Sequence, residues 1–366
     1  MRAAVTRLHK AMQEINEYMR FSGNITELRK KGLFSSPSES VEQQNHPTNE
    51  ISAYVASPTW RRQVYSFAIV GAYGFHERFV RDLVEEGAAI VSRIYRTYDD
   101  IPDAVRDSHM RLGVAYAKDI LDGKGNPSTD LKTLIQMLNA CLGGSSNLVQ
   151  PVFSQTTSNF RSGTVGSTLL RLGINLSQSE PDASMQDLVT AELSGFYASP
   201  NSVIDDLADR RNQIAHGNDF ELLDSGTLCS IIKVVYSYDC WLLRLVASHL
   251  LESLVLHRGA ETARVEKTYT NKNTNIRSIA SIPSVAHALR CGDNIYVRRS
   301  SIESASVQSI QVGRQNLDEV SPATDGPIGL DLSSKQHVGS CLYWLDPSDR
   351  PLAEDLAAAS KTLPGI

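Results

Sequence analysis

The pattern of apolar residues changes once along this 366-residue chain, near residue 258. Before that point, apolar residues recur every three or four positions, which is the period of an amphipathic α-helix. After it, short runs of alternating apolar and polar residues lie between turns that recur every ~8–12 positions, a spacing typical of small β-barrels. The sequence therefore predicts a multidomain α-then-β protein, with an all-α helical bundle followed by a small β-barrel.

This change of pattern sets the predicted domain boundaries. We predict a helical domain over 1–258, a linker over 259–275, a β-barrel domain over 276–350 and a C-terminal tail over 351–366. The stretch 35–49 is rich in Ser, Pro, Gln and Asn, so we predict a mobile loop there.

Composition excludes several classes of function. The formal net charge is −5, from 36 Lys and Arg against 41 Asp and Glu, which excludes a polycationic nucleic-acid coat and a polybasic membrane anchor. The five cysteines are odd in number and never form C-x-x-C, which argues against a disulfide framework and a zinc knuckle. The apolar run 242–256 contains Arg244, His249 and Glu252, which make it too polar for a lipid-facing span. We therefore expect a cytoplasmic protein with no membrane partner.

Most catalytic signatures are missing from the sequence. It has no G-x-x-x-x-G-K-[ST] phosphate loop, no G-x-G-x-x-G, no H-E-x-x-H and no G-x-S-x-G. We therefore expect neither a cofactor nor a metal. The string that remains is 209–217, DRRNQIAHG, which places an arginine, an asparagine and a histidine close together.

The segment 202–216 around this string is predicted to be helical. Ser202 followed by Asp205 fits a capping box, and Gly217 fits a helix stop. A second, long helix is predicted from about Ser225 to Leu256.

Helix geometry places the polar residues of the string around one groove. Arg211 lies four residues after Leu207 and three before Ile214, so it falls on the apolar stripe of the helix. An arginine keeps its charge, so this position is costly unless the guanidinium meets an anion or a carboxylate. Asn212 and His216 are four apart on one face, whereas Arg211 and His216 are roughly 140° apart. The alternative is structural, with Arg211 paired to a carboxylate and His216 capping the helix.

The string 211–217, RNQIAHG, followed by a long helix, resembles the motif of HEPN-domain ribonucleases. It is most similar to the R-N-x-x-A-H-G branch, which is found in bacterial defence and toxin-like proteins. The resemblance implies a helical domain that forms a two-fold homodimer, in which the two motifs face each other. It also implies metal-independent cleavage of RNA in antiviral defence or toxin-like growth arrest.

The resemblance assigns the catalytic role to Arg211, Asn212 and His216. RNA supplies its own nucleophile, the 2′-hydroxyl, so a metal-bound water is not required. His216 would transfer the proton, Arg211 would stabilise the charged phosphate, and Asn212 would hold the phosphate or orient His216. The expected products are a 2′,3′-cyclic phosphate end and a 5′-hydroxyl end.

Three further residues are candidates for supporting roles. Glu77 either holds one of the catalytic side chains in place or is a plain surface carboxylate. Arg210 either contacts RNA phosphates or pairs with Asp206, one helical turn earlier. Asp209 has the same two alternatives.

The β-rich end carries a second resemblance. The runs 289–297 (LRCGDNIYV), 307–310 (VQSI) and 327–330 (PIGL) are similar to the β-barrel second domain of elongation factor Tu. That resemblance implies a docking module for tRNA, the ribosome or a translation factor. The alternative is a barrel that serves only packing or dimer support.

Local positive charge in the β-rich end favours a phosphate-bearing partner. It is contributed by Arg290, Arg298, Arg299 and Arg314. The expected partners are therefore RNA, including tRNA, a second copy of the chain, and the translation machinery. The alternative for the whole chain is a non-catalytic RNA- or protein-binding HEPN module that acts as a scaffold or as the partner of another enzyme.

Overall fold

A computed structural model describes residues 2–30, 54–55, 57–124, 129–179, 181–218, 221–270, 278–313, 315–324, 326–334 and 336–361. The predicted mobile loop 35–49 lies outside the described residues. Helices occupy the first part of the described chain, and an antiparallel sheet follows them, which confirms the predicted α-then-β fold class.

The helices of the described residues have the following bounds. They are α1 (Arg2–Lys30), α2 (Pro58–Ile94), α3 (Asp103–Leu121), α4 (Leu131–Leu142), α5 (Gln150–Ser154), α6 (Ser162–Leu170), α7 (Ala183–Leu193), α8 (Pro200–Ala215), α9 (Ser225–Arg258) and α10 (Arg350–Ala359). The predicted long helix from Ser225 to Leu256 is confirmed as α9.

Two long helices form the centre of the helical part. α2 and α9 pack against each other; α1, α5 and α8 pack on α2, while α7 and α10 pack on α9. By length and composition α9 could cross a membrane, but 56% of its most apolar window is buried inside the protein, as in a core helix. Its central position explains why its apolar residues extend around most of the helix.

Ten strands follow α9 in the described chain. They are β1 (Ala260–Arg264), β2 (Lys267–Thr270), β3 (Ser278–Ile282), β4 (Leu289–Arg290), β5 (Asn294–Arg298), β6 (Ile302–Val312), β7 (Gln315–Leu317), β8 (Glu319–Val320), β9 (Ile328–Leu332) and β10 (Cys341–Trp344). The main sheet has the order β1-β10-β5-β6-β9-β3-β2, with β7 paired to β6, and β4 pairs separately with β8.

The short connection between β1 and β2 joins the two ends of the main sheet. The N–H of Val265 donates to the carbonyl of Ser340 next to β10, and the N–H of Glu266 donates to the carbonyl of Ser281 in β3, each at 2.9 Å. The chain therefore passes from one edge strand directly to the other, and the sheet is curled into a half-barrel. This geometry is compatible with the predicted small barrel, and the likeness to elongation factor Tu stays a prediction.

The predicted linker and tail contain regular structure. β1 and β2 lie within 259–275, and all of α10 except its first residue, Arg350, lies within the segment predicted as a tail. Leu352 and Leu356 of α10 are buried against the helical core, and Arg258 at the end of α9 contacts Asp349 at 3.2 Å. The segment after the sheet is therefore part of the folded core rather than a free tail.

The start of α8 differs from the prediction. The hydroxyl of Ser199 accepts a hydrogen bond from the N–H of Ser202 at 3.3 Å, and Pro200 is the first helical residue. The predicted cap at Ser202 was wrong, because Ser202 is the third residue of the helix and the last residue of a Ser-x-x-Ser capping box that begins at Ser199.

The predicted stop at Gly217 is confirmed. Gly217 has a φ of +67°, a conformation that favours glycine. The N–H groups of Gly217 and Asn218 donate to the carbonyls of Ile214 and Gln213, at 3.1 and 3.0 Å. This pair of bonds is a Schellman motif, and it leaves His216 as the capping residue at the end of the helix.

Candidate functional site

The candidate site lies on the last two turns of α8, where this helix packs on α2. The guanidinium of Arg211 lies over the ring of Tyr73 in α2, with 5.2 Å between the guanidinium carbon and the ring centroid. Its Nη1 donates to Oδ1 of Asn212 at 3.2 Å. In the described part of the chain Arg211 contacts no carboxylate, so the predicted pairing with an acidic residue is not found there.

Tyr73 is held rigidly beneath this guanidinium. Its side chain is buried, and its hydroxyl accepts a hydrogen bond from the N–H of Phe160 at 3.0 Å and donates to Oδ1 of Asn159 at 3.3 Å. Burial raises the pKa of Tyr73, so the ring stays neutral. A cation above an aromatic face gains ~0.5–2 kcal/mol, so this ring fixes the position of Arg211 without neutralising its charge.

His216 lies at the end of the same helix and is exposed to solvent. Its backbone N–H donates to the carbonyl of Asn212 at 2.9 Å, which fixes the backbone of His216 one turn from Asn212. Among the residues that the structure describes, none forms a hydrogen bond to its imidazole. The side chain of Asn212 contacts Arg211. Its two alternative roles, holding the phosphate or orienting His216, stay predictions.

A further arginine lies beside the end of the motif. Nη2 of Arg62, near the start of α2, donates to the carbonyl of Asn218 at 3.4 Å. Arg62 also lines an open groove of about 480 Å³ together with Pro58 and Ser66. Arg62 therefore connects this groove to the residue that follows Gly217.

Of the three supporting candidates, Asp209 and Arg210 form ion pairs within the fold. Asp209 accepts two hydrogen bonds from the guanidinium of Arg161. Nε of Arg210 donates to Asp206 at 2.5 Å, which matches one of the two predicted alternatives, and its Nη1 donates to the hydroxyl of Tyr65 at 2.7 Å. Burial opposes the charge of Arg210, but the hydrogen bonds to Asp206 and Tyr65 outweigh it and raise its pKa.

Glu77 is paired as well. Its carboxylate accepts hydrogen bonds from Nε and Nη2 of Arg81, one turn later on α2, at 3.3 and 3.0 Å. Arg81 also donates to the carbonyl of Ser154 at 3.0 Å. The structure therefore gives Glu77 a partner other than Arg211 or His216, and its supporting role stays a prediction.

A buried polar pair lies behind the site, between α2 and α9. Nδ1 of His76 is 2.7 Å from Oδ1 of Asp239, and both side chains are almost fully buried. Burial raises the pKa of Asp239, while the adjacent His76 lowers it. Because His76 follows Tyr73 by three residues on the same helix, this pair anchors the part of α2 that holds the tyrosine ring.

Sequence reasoning missed three residues of the site, namely Tyr73, Arg161 and Arg62. Tyr73 contacts Arg211, Arg161 contacts Asp209, and Arg62 contacts Asn218 just after the motif. Each comes from a distant part of the chain, so no local spacing links it to the motif. The available signal for Tyr73 was its place four residues before Glu77, on the same helix face.

The described residues contain no group of three or more His, Cys, Asp or Glu side chains that could hold a metal ion. The expected absence of a metal and of a cofactor stays a prediction.

Comparison with protein families matches residues 44–240 to the family model described as RiboL-PSP-HEPN. A comparison with curated proteins finds no match. The matched segment is more than half of the chain, and it contains α2, α8 and the whole 211–217 motif. The chain therefore belongs to the RiboL-PSP-HEPN family, and its helical part is a HEPN domain.

Proposed function

We propose that this chain is a metal-independent endoribonuclease. One observation carries the proposal: the guanidinium of Arg211 is fixed over Tyr73 without a carboxylate partner among the described residues, five residues before the exposed His216. The neighbouring Arg161 and Arg210 are both neutralised by aspartates. An unneutralised, pre-positioned cation that shares its motif with an exposed imidazole is suited to a phosphodiester.

The reaction is an internal transesterification of RNA. The 2′-hydroxyl loses its proton and its oxygen attacks phosphorus, while the 5′-oxygen of the next nucleotide leaves and takes up a proton. Arg211 stabilises the negative charge that builds up on the phosphate oxygens. His216 transfers a proton, and such a group typically contributes ~10²–10⁴ in rate. The products are a 2′,3′-cyclic phosphate and a 5′-hydroxyl.

The proposed reaction favours a homodimer. One proton must be removed from the 2′-hydroxyl while another is delivered to the leaving oxygen, and each motif holds a single imidazole. Two copies of His216, one from each subunit, would supply the base and the acid. Mixed dimers of one wild-type and one His216→Ala subunit should then lose most of their cleavage activity. If such a dimer keeps half of the wild-type activity, each wild-type subunit acts alone and this arrangement is excluded.

The family suggests the biological setting. HEPN domains are often ribonucleases, and the R-N-x-x-A-H-G string favours a role in antiviral defence or toxin-like growth arrest in the cytoplasm. The curled sheet would direct the enzyme to tRNA or another RNA of the translation machinery.

The test is cleavage of labelled RNA by the full chain in the presence of EDTA. We expect cleavage that persists with the chelator, is lost in Arg211→Ala and His216→Ala, and is blocked by a 2′-O-methyl group at the cleavage site. The new 5′ ends should accept phosphate from polynucleotide kinase without prior dephosphorylation. Dependence on a divalent metal, or cleavage of the 2′-O-methyl substrate, would contradict the mechanism.

His257 provides the matched control. It is a second exposed histidine in the last turn of a helix, where its ring packs on Tyr95 with 4.6 Å between ring centroids. His257→Ala should cleave RNA like wild type. If His257→Ala loses activity as His216→Ala does, the loss in His216→Ala reflects the removal of a surface histidine and not a role in the reaction.

The second candidate function is RNA binding without cleavage. It is favoured by the imidazole of His216, which no hydrogen bond orients within the described residues. In that case Arg211→Ala weakens RNA binding, His216→Ala leaves it unchanged, and wild type leaves the RNA intact. Retention of intact RNA by wild type would therefore replace the first proposal with the second.

A further inference from the structure

Three neighbouring strands of the curled sheet place two arginines on one face. Arg264 of β1 lies directly opposite Cys341 of β10, and Cys341 lies directly opposite Arg298 of β5. Directly opposed residues share a face of the sheet, so both arginines flank Cys341 on the same side. Neighbouring strands are ~4.8 Å apart, which puts the two arginine backbones about 10 Å from each other.

A groove lies at this end of the sheet. It has a volume of about 390 Å³ and is lined by Arg298, Arg299, His337 and Ser340. Arg298 and Arg299 are exposed and form no ion pair with any of the described residues. Arg264, by contrast, contacts Glu261 at 3.5 Å. The lining is therefore cationic and retains an uncompensated charge.

Ser340 supplies an independent observation. The residue is 2% exposed, and its Oγ is buried without a hydrogen-bond partner in the described chain. Buried hydroxyl groups are nearly always hydrogen-bonded, so an orphan group of this kind indicates a partner that is supplied from outside. Because the groove is lined by Arg298 and Arg299, its charge favours an acceptor that carries negative charge.

We propose that this groove is a binding site for a phosphate group, in which Arg298 and Arg299 neutralise the charge and the Ser340 hydroxyl donates to a phosphate oxygen. A phosphate diester of RNA and a free phosphate monoester share this chemistry. The site is separate from the Arg211 motif, and the proposal does not depend on RNA cleavage.

Of the other arginines predicted to give the β-rich end its charge, Arg290 does not line the groove. Nε of Arg290 contacts Glu319 across the small β4–β8 sheet at 2.9 Å, so its charge is neutralised. Arg314 lies outside the described residues. Arg290 is therefore a matched control, since it is an exposed arginine on the same part of the chain.

The test is calorimetric titration of the full chain with inorganic phosphate, adenosine 5′-monophosphate and a short single-stranded RNA. All three use the His216→Ala background, so that no RNA is cut. We expect Arg298→Gln/Arg299→Gln to weaken binding about a hundredfold and Ser340→Ala about tenfold. For the RNA, a plot of log affinity against log salt concentration should also be less steep in the double variant, with a slope smaller in magnitude by about one to two.

The arms identify the source of the phosphate group. RNA that binds more tightly than the nucleotide indicates a diester, whereas a tighter nucleotide indicates a free monoester. Ser340→Ala should unfold at the wild-type temperature, because its hydroxyl has no partner to lose among the described residues. Absence of binding in all three arms, or equal loss in Arg290→Gln and the double variant, would overturn the proposal.

Discussion

The guanidinium of Arg211 and the ring of Tyr73 form a cation–π pair that connects the motif helix α8 to the central helix α2. The tyrosine hydroxyl is in turn held by Phe160 and Asn159, which come from the segment between α5 and α6. Three separate parts of the chain therefore determine where one positive charge lies.

Tyr73→Leu should lower RNA cleavage by about 2- to 30-fold, because the cation–π contact is worth ~0.5–2 kcal/mol. Tyr73→Phe keeps the ring and should cleave like wild type per folded molecule. It should lose ~1–3 kcal/mol of stability, because the buried Phe160 N–H loses its acceptor. The measurements are initial cleavage rates and urea unfolding; equal rates for the two variants would contradict the positioning role.

Arg211→Lys tests the fork geometry apart from the charge. Lysine carries the charge but cannot make two parallel hydrogen bonds to a phosphate or stack as a plane on Tyr73. We expect a ~10- to 100-fold lower cleavage rate, with RNA affinity less affected than in Arg211→Ala. Single-turnover kinetics separates the cleavage rate from the RNA affinity. A wild-type cleavage rate for the lysine variant would show that charge alone is sufficient.

Substitutions of Gly217 should lower the stability of the protein, and the loss should be smaller for residues that tolerate a positive φ. Gly217→Ala should lose ~1–2 kcal/mol, because an L residue is strained at this φ, and Gly217→Asn should lose less. Space is not the reason, since no atom lies within 4 Å of an added Cβ. Urea unfolding gives the stabilities, and cleavage rates should follow the same order because the strain falls next to His216.

His109 should make the stability of the helical part depend on pH. Burial lowers its pKa from 6.5 to about 4. Its Nε2 accepts from the N–H of Val149 at 3.0 Å, which requires the neutral ring. Between these two pKa values the unfolded chain binds the additional proton, so stability is complete above pH 6.5 and falls as the pH drops towards 4.

The loss over that range amounts to about 3 kcal/mol. Urea unfolding at several pH values measures it, and His109→Gln should flatten the slope because glutamine does not titrate. An unchanged slope in His109→Gln would assign the pH dependence to other groups.

Removing one partner of the buried pair of His76 and Asp239 should lower the stability of the fold. Asp239→Ala leaves a buried imidazole without its partner and should cost about 3–5 kcal/mol, whereas Asp239→Asn keeps the shape and should cost less. Asp99→Ala is the control, because Asp99 pairs with Arg106 at an exposed position and its loss should leave the unfolding midpoint unchanged. Equal effects of Asp239→Ala and Asp99→Ala would contradict the prediction.

Features decided by local sequence could be predicted. The α-then-β order followed from the apolar period, the span of α9 followed from its long repeat, and the end of α8 followed from Gly217. Pairing between Arg210 and Asp206 was one of two stated alternatives, because residues four apart on a helix are neighbours.

Features decided by tertiary contact could not be predicted. Asp209 pairs with Arg161, which is 48 residues earlier, and the ring below Arg211 comes from another helix. The spacing of Leu352 and Leu356 in α10 was too short a repeat to distinguish a packed helix from a tail. The start of α8 was misplaced because Ser199 and Ser202 both suit a cap, and only the backbone shows which one precedes the helix.

The packing of α10 against α9 has a consequence for synthesis on the ribosome. When the last residue of α9 emerges, the helical core still lacks the layer that Leu352 and Leu356 complete. The whole curled sheet must be translated before that layer arrives. The apolar surface of α9 that α10 covers is therefore exposed on the nascent chain during that interval, and the HEPN core reaches its final packing only after the sheet has been made.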